Sequence, residues 1–145
     1  MSGTSVRDAH YPAVVIHGLV DARTVLAVGR PVTLLSATGA ALYAGSGWWR
    51  ALVERARSEY PGFPIDDILD CADASGLALG AFRIGLRRIV LGKEAPGWTS
   101  VAAIAASLGG EVLTHRPKAI DMSDRDTARR LHDWLAPRDS GHAVS

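Results

Sequence analysis

The residues whose types could support chemistry follow short apolar runs in the sequence. Imidazole, carboxylate, hydroxyl and ammonium groups that meet at one place can bind an anionic ligand or transfer protons. The eight candidates for ligand binding are His17, Ser36, Thr38, Gly39, Asp70, Asp73, Lys93 and His115. No one of them is assigned a catalytic role by its spacing, so their use depends on how the chain folds.

Five apolar runs alternate with longer segments of helical period. The runs are 13–16, 32–35, 67–71, 88–91 and 111–114. Strands separated by helices require parallel crossovers, and runs rich in Val, Ile and Leu are typical of doubly buried strands. This pattern predicts an α/β fold: one three-layer α/β/α domain with a mostly parallel five-stranded sheet, flavodoxin-like in outline. We expect the domain at 12–136, with flexible ends at 1–11 and 137–145.

Ligands of open parallel sheets bind beyond the carboxyl ends of the strands. The eight candidates follow the predicted strands, so we expect them on one rim. The first functional hypothesis is a small-molecule site there, with an anionic group near Gly39, Ser46 and Lys93. The second is a non-catalytic, homo-oligomeric protein–protein or regulatory module, so whether the protein is an enzyme stays open.

The carboxylates at the end of the third run have two alternative interpretations. Asp70 and Asp73 could form an acid/base pair, with Asp70 acting beside His17 or His115. Alternatively, Asp73 or Ser75 caps the next helix and Asp70 accepts hydrogen bonds from loop N–H groups.

Cysteine and histidine usage excludes several kinds of site. Cys71 is the only cysteine, so an internal disulfide and a multi-cysteine zinc site are excluded, and its apolar surroundings predict an inert, buried thiol. His17 and His115 have no third ligand at a recognisable spacing. We therefore predict neither a metal nor a cofactor.

Composition limits the classes of partner and the cellular location that we expect for this protein. The 145 residues include 16 basic and 15 acidic ones, which gives a net charge of +1. This balance does not favour nucleic acid. The longest weakly polar run, 101–112, is too short to cross a bilayer, and no secretory signal is recognisable, so we expect a cytoplasmic protein without membrane association.

Adjacent tryptophans mark the best candidate for an interface. Trp48 and Trp49 point in different directions on any regular helix, so one can enter the core while the other meets a partner. With Tyr43 they form the predicted interface of a homo-oligomer or the wall of a pocket. In the next predicted helix, Gly76, Gly80 and Gly85 indicate close packing on a neighbouring element.

Short segments resemble known families. Asp70 and Arg116-Pro117 resemble two features of receiver domains, although His17-Gly18 replaces the acidic pair that holds the metal of those domains. Residues Asp73-Ala74-Ser75-Gly76-Leu77 are similar to the phosphorylated turn of anti-sigma-factor antagonist domains, whose opening hairpin has no counterpart here. Asp8-Ala9-His10 resembles part of a cobalamin-binding motif.

Overall fold

The computed structural model describes residues 11–137. The strands are β1 (Ala13–Val15), β2 (Val32–Leu35), β3 (Ile65–Asp70), β4 (Arg88–Val90), β5 (Glu111–Leu113) and β6 (Ala119–Asp121). The helices are α1 (Leu19–Leu26), α2 (Ala40–Tyr43), α3 (Ser46–Glu59), α4 (Ser75–Arg83), α5 (Trp98–Ser107) and α6 (Thr127–Leu135). Apart from Tyr11 and Pro137, the predicted flexible ends lie outside the described residues, as does the segment Asp8-Ala9-His10.

The strands form one parallel sheet in the order β5-β4-β3-β2-β1-β6. The predicted α/β class, with a parallel sheet flanked by helices in a three-layer, flavodoxin-like outline, is confirmed. The sheet has six strands rather than five. Strand β6 was missed because Ala119-Ile120-Asp121 is not an apolar run and no helix separates it from β5.

Apolar side chains form one cluster on each face of the sheet. Successive strand residues point to opposite faces, so Val14, Leu34 and Leu69 join the first cluster, while Val15, Leu35 and Ile68 join the second. Every helix contributes buried side chains to the first cluster, whereas the buried core of the second consists of strand residues. Residues Trp134 and Leu135 at the end of α6 also reach the second face, where they line a cavity with Ile68 and Leu113.

A short link joins β5 to β6 across the second face. These strands are the two edges of the sheet, so residues 114–118 must run from the carboxyl end of one edge to the amino end of the other. Arg116, in the middle of the link, forms an ion pair of 2.8 Å with Asp70 at the end of central strand β3. Asp70 is two residues beyond Ile68 and shares its face, so the link crosses the face that carries the second cluster.

Several local predictions required correction. Gly45 and Gly47 predict that a helix starts only at Ser46 and that 38–45 is a loop, but helix α2 lies in that segment. The sequence also predicts a last helix from about Ser123, whereas α6 begins at Thr127. Asp21 precedes an apolar-periodic segment and is therefore predicted to cap the first helix. That prediction is wrong: Asp21 lies inside the first turn of α1, where its carboxylate accepts the N–H of His17 at 2.8 Å. No side chain caps α4, so neither Asp73 nor Ser75 has that role.

The glycines of the α4 region do not serve close packing. A Cβ atom built on Gly76, Gly80 or Gly85 would meet no atom of residues 11–137 within 4 Å. The buried side of α4 consists of Ala78, Ala81 and Phe82. These glycines therefore lie away from the core, and because they lack side chains, the helix surface around them is shallow.

Candidate functional site

Asp70 and Ser36 meet at the carboxyl ends of β3 and β2. The N–H of Asp70 donates to the Ser36 hydroxyl at 2.9 Å, and that hydroxyl donates to the Ala37 carbonyl at 3.0 Å. One carboxylate oxygen of Asp70 accepts the N–H of Ala72 and the other accepts Arg116, both at 2.8 Å. Asp70 is only 2% exposed. Its protein partners occupy both oxygens and anchor the link to the sheet.

Both histidines lie apart from Asp70 in their contacts. The Nε2 atom of His17 lies 2.6 Å from a carboxylate oxygen of Asp121, on β6. Burial acts to raise the pKa of Asp121, but hydrogen bonds from the N–H and hydroxyl of Ser123 and from His17 outweigh it, so that pKa is lowered. His115 instead pairs with the hydroxyl of Thr114 at 3.0 Å.

The other predicted ligand-binding residues also have separate surroundings. The Lys93 ammonium lies 4.6 Å from the ring centroid of Trp98, in cation–π contact. Thr38 and Asp73 are exposed. Gly39 has φ +67°, and a Cβ built there would lie 3.6 Å from Leu42 and 3.8 Å from Ala72. The structure thus brings Ser36 and Asp70 together, and it places the turns after β2 and β3 side by side.

The tryptophan pair divides between the core and a more exposed position. Trp49 is completely buried, while Trp48 is half-buried, with 5.8 Å between the ring centroids. The prediction that one ring enters the core is confirmed. The indole N–H of Trp49 has no hydrogen-bond partner within residues 11–137. Tyr43 is 70% exposed.

Cys71 is a buried thiol, as the sequence predicted. Burial raises its pKa to about 12, and the neighbouring Asp70 carboxylate adds to that increase. A thiol of this kind holds its proton at neutral pH and is a poor nucleophile.

Exposed apolar side chains lie on the helices that follow three neighbouring strands. Val20, Leu42, Tyr43 and Leu77 lie on the helices that directly follow β1, β2 and β3. We call Leu42, Tyr43 and Leu77 the rim patch. Sequence reasoning selected only Tyr43 among them, because periodicity alone does not tell an exposed apolar residue on a short helix from a buried one.

The turn 73–77 adjoins the rim patch and contains its residue Leu77. Ser75 is the first residue of α4, and its hydroxyl donates to the carbonyl of Pro96 in the loop after β4. Asp73, Gly76 and Leu77 are exposed around it. The turn therefore presents a hydroxyl, a carboxylate and apolar surface at one place.

A cavity of about 820 Å³ lies between the second face of the sheet and the link, mostly toward the amino ends of the strands. Ile68 and Leu113 belong to its apolar floor, and Trp134 near the end of α6 contributes to its wall. The basic side chains that line it are Arg30, Arg88, His115 and Lys118. Of the eight predicted ligand-binding residues, only His115 lines this cavity, because Arg30, Arg88 and Lys118 sit at or before the starts of strands rather than after their ends.

Comparisons with known proteins leave the family of the chain open. No protein-family model matches it, and no curated protein is significantly similar to it. Within the described range 11–137, no three His, Cys, Asp or Glu side chains converge in a way that could hold a metal ion. None of the helices in that range has the length and apolar composition of a transmembrane segment.

Proposed function

We propose that this protein is a non-catalytic regulatory module that binds a protein partner through the rim patch and the adjoining turn 73–77. The observation that carries the proposal is the exposure of Leu42, Tyr43 and Leu77 on helices that follow adjacent strands. Contiguous exposed apolar surface on a small domain commonly marks an interaction site. Polar groups beside it, such as Asp73, supply the rim that such interfaces have.

The surface of α4 supports the same function. Leu77 projects beside Gly76 and Gly80, where no described side chain or backbone fills the space that a Cβ would take. Small residues allow another backbone to approach a helix closely. An apolar anchor between them is therefore accessible to a partner helix or strand.

Ser75 gives this surface a means of control. The turn is similar to the phosphorylated turn of anti-sigma-factor antagonist domains, and Ser75 is the only hydroxyl-bearing residue of the five. A phosphate there would add about 1.5 to 2 negative charges at pH 7, next to the Asp73 carboxylate and Leu77. Charge of that size in an apolar interface opposes binding through repulsion and desolvation. Phosphorylation would release the partner.

The proposal includes a cytoplasmic location, where the single cysteine would remain reduced. If the partner is a second copy of this chain, the two copies would associate through Tyr43 and Trp48. The small-molecule hypothesis at the carboxyl-end rim receives less support, because Asp70 is engaged with Ala72 and Arg116.

Site-specific photo-crosslinking tests the proposal. A photoreactive amino acid replaces Leu42 in one variant and Leu108 in its control; these residues are 58% and 52% exposed and lie near opposite ends of the strands. Crosslinking is performed in cells of the source organism, and products are identified by mass. We expect one discrete product from position 42 and none from position 108.

The Ser75 variants complete the experiment. Ser75→Asp should remove the product from position 42, whereas Ser75→Ala should retain it. A product of twice the chain mass would identify the partner as a second copy. Equal crosslinking from positions 42 and 108, or no product from position 42, would contradict the proposal.

A further inference from the structure

The cavity on the second face has the composition of a ligand site. Its volume of about 820 Å³ lies within the range of small-molecule pockets, roughly 300–1,000 Å³. Its floor is apolar, with Ile68 almost fully buried and Leu113 packed against the same cluster. An apolar body of a ligand would replace water mainly on Leu113 and Trp134, which are only partly buried.

The charged side chains that line the cavity within residues 11–137 are all basic. Arg30, Arg88 and Lys118 line it together with His115, and no carboxylate is among its lining residues. Arg88 is already engaged, at 3.3 Å from Glu111 and 3.8 Å from Asp66. Arg30 and Lys118 are exposed and form no ion pair with residues 11–137. Within the described part of the chain, these two cations are therefore available to an anionic group.

We propose that this cavity binds a small anionic amphiphile, a molecule with one carboxylate or comparable acidic group on an apolar body. The apolar body lies on Ile68 and Leu113 beneath the link, and the acidic group lies toward Arg30 and Lys118. This site is distinct from the rim patch, which lies at the opposite ends of the strands, so it goes beyond the proposed function. One residue that lines this cavity, His115, is among those that the sequence predicted for ligand binding.

Isothermal titration calorimetry on the full chain tests the site. The probe is dodecanoate below its micelle concentration, and the matched probe is dodecyltrimethylammonium, which has the same alkyl chain and the opposite charge. We expect one dodecanoate per chain. We expect the cation to bind at least about tenfold more weakly, since two partly exposed charge contacts are together worth on the order of 1–2 kcal/mol.

A charge reversal distinguishes this site from nonspecific uptake. Arg30→Glu with Lys118→Glu should weaken dodecanoate binding about tenfold or more. The control, Arg83→Glu with Arg125→Glu, makes the same charge change at exposed residues outside the cavity lining and should change the affinity less than about twofold. Circular dichroism spectra and melting temperatures confirm that both variants fold.

Three results would overturn the proposal. They are the absence of dodecanoate binding, equal binding of the two probes, and equal effects of the cavity and control reversals. None of them bears on the crosslinking from position 42, so the two proposals fail independently.

Discussion

The pair between Asp70 and Arg116 provides the sharpest test of how the link is held. Arg116→Met removes the cation and leaves a carboxylate that is 2% exposed and that keeps, among the side-chain hydrogen bonds of residues 11–137, the one from the Ala72 N–H. Breaking a buried ion pair from this side costs about 3–5 kcal/mol of unfolding free energy. Asp70→Asn should cost less, about 1.5–3 kcal/mol, because the Arg116 side chain is 27% exposed and can be rehydrated.

Urea unfolding followed by far-UV circular dichroism measures these differences. The double variant should be no less stable than Arg116→Met alone, since the neutral amide leaves no buried charge unpaired. The control is Arg125→Met, which removes an exposed cation that follows β6 in the sequence. It should change the free energy of unfolding by less than about 0.5 kcal/mol.

Two results would refute this account of the pair. Losses below about 1 kcal/mol for both single variants would show that the contact does not hold the link. Additivity within about 0.5 kcal/mol would show that the two side chains are not coupled. A near-neutral Asp70→Asn would return Asp70 to the set of residues free to serve a ligand.

Three further predictions concern the core. Trp49→Ala should cost about 3–5 kcal/mol in urea unfolding, and Trp49→Phe clearly less because the buried Trp49 N–H has no hydrogen-bond partner among residues 11–137; equal losses would contradict this. Cys71, with its pKa near 12, should not react with a thiol reagent at pH 8 until urea unfolds the protein, and rapid labelling of the native state would be inconsistent with its burial. Gly110→Ala should lose about 1–3 kcal/mol, because its Cβ would lie 2.6 Å from the Phe82 ring and 2.9 Å from a backbone oxygen. The matched Gly80→Ala, which meets no such contact, should gain up to about 1 kcal/mol; the reverse order of these two thermal stabilities would contradict the packing.

The sequence by itself determined the elements whose signals are local. Apolar runs such as 32–35 report directly on burial in strands, so the parallel α/β class could be predicted. The helical period was less exact: Val101 and Ala105 are buried in α5 as their spacing predicted, whereas Ile104 and Leu108 of the same apolar set are 41% and 52% exposed. The burial of Cys71 and the division of the tryptophan pair followed from the same local patterns. Strand β6 was missed because its residues form no apolar run, and helix α2 because its four residues are too few to show a helical period.

Tertiary structure alone decided which side chains meet. The β5–β6 link returns to the far edge of the sheet, and this brings Arg116 to Asp70 across 46 residues of sequence. It also places His115 and Lys118 beside Arg30, around a cavity at the strand starts rather than their ends. No local pattern encodes such pairings, because they depend on strand order and on the path of one five-residue link. The sequence therefore supplied the polar groups, and the fold determined which of them became internal anchors and which remained available to a ligand or a partner.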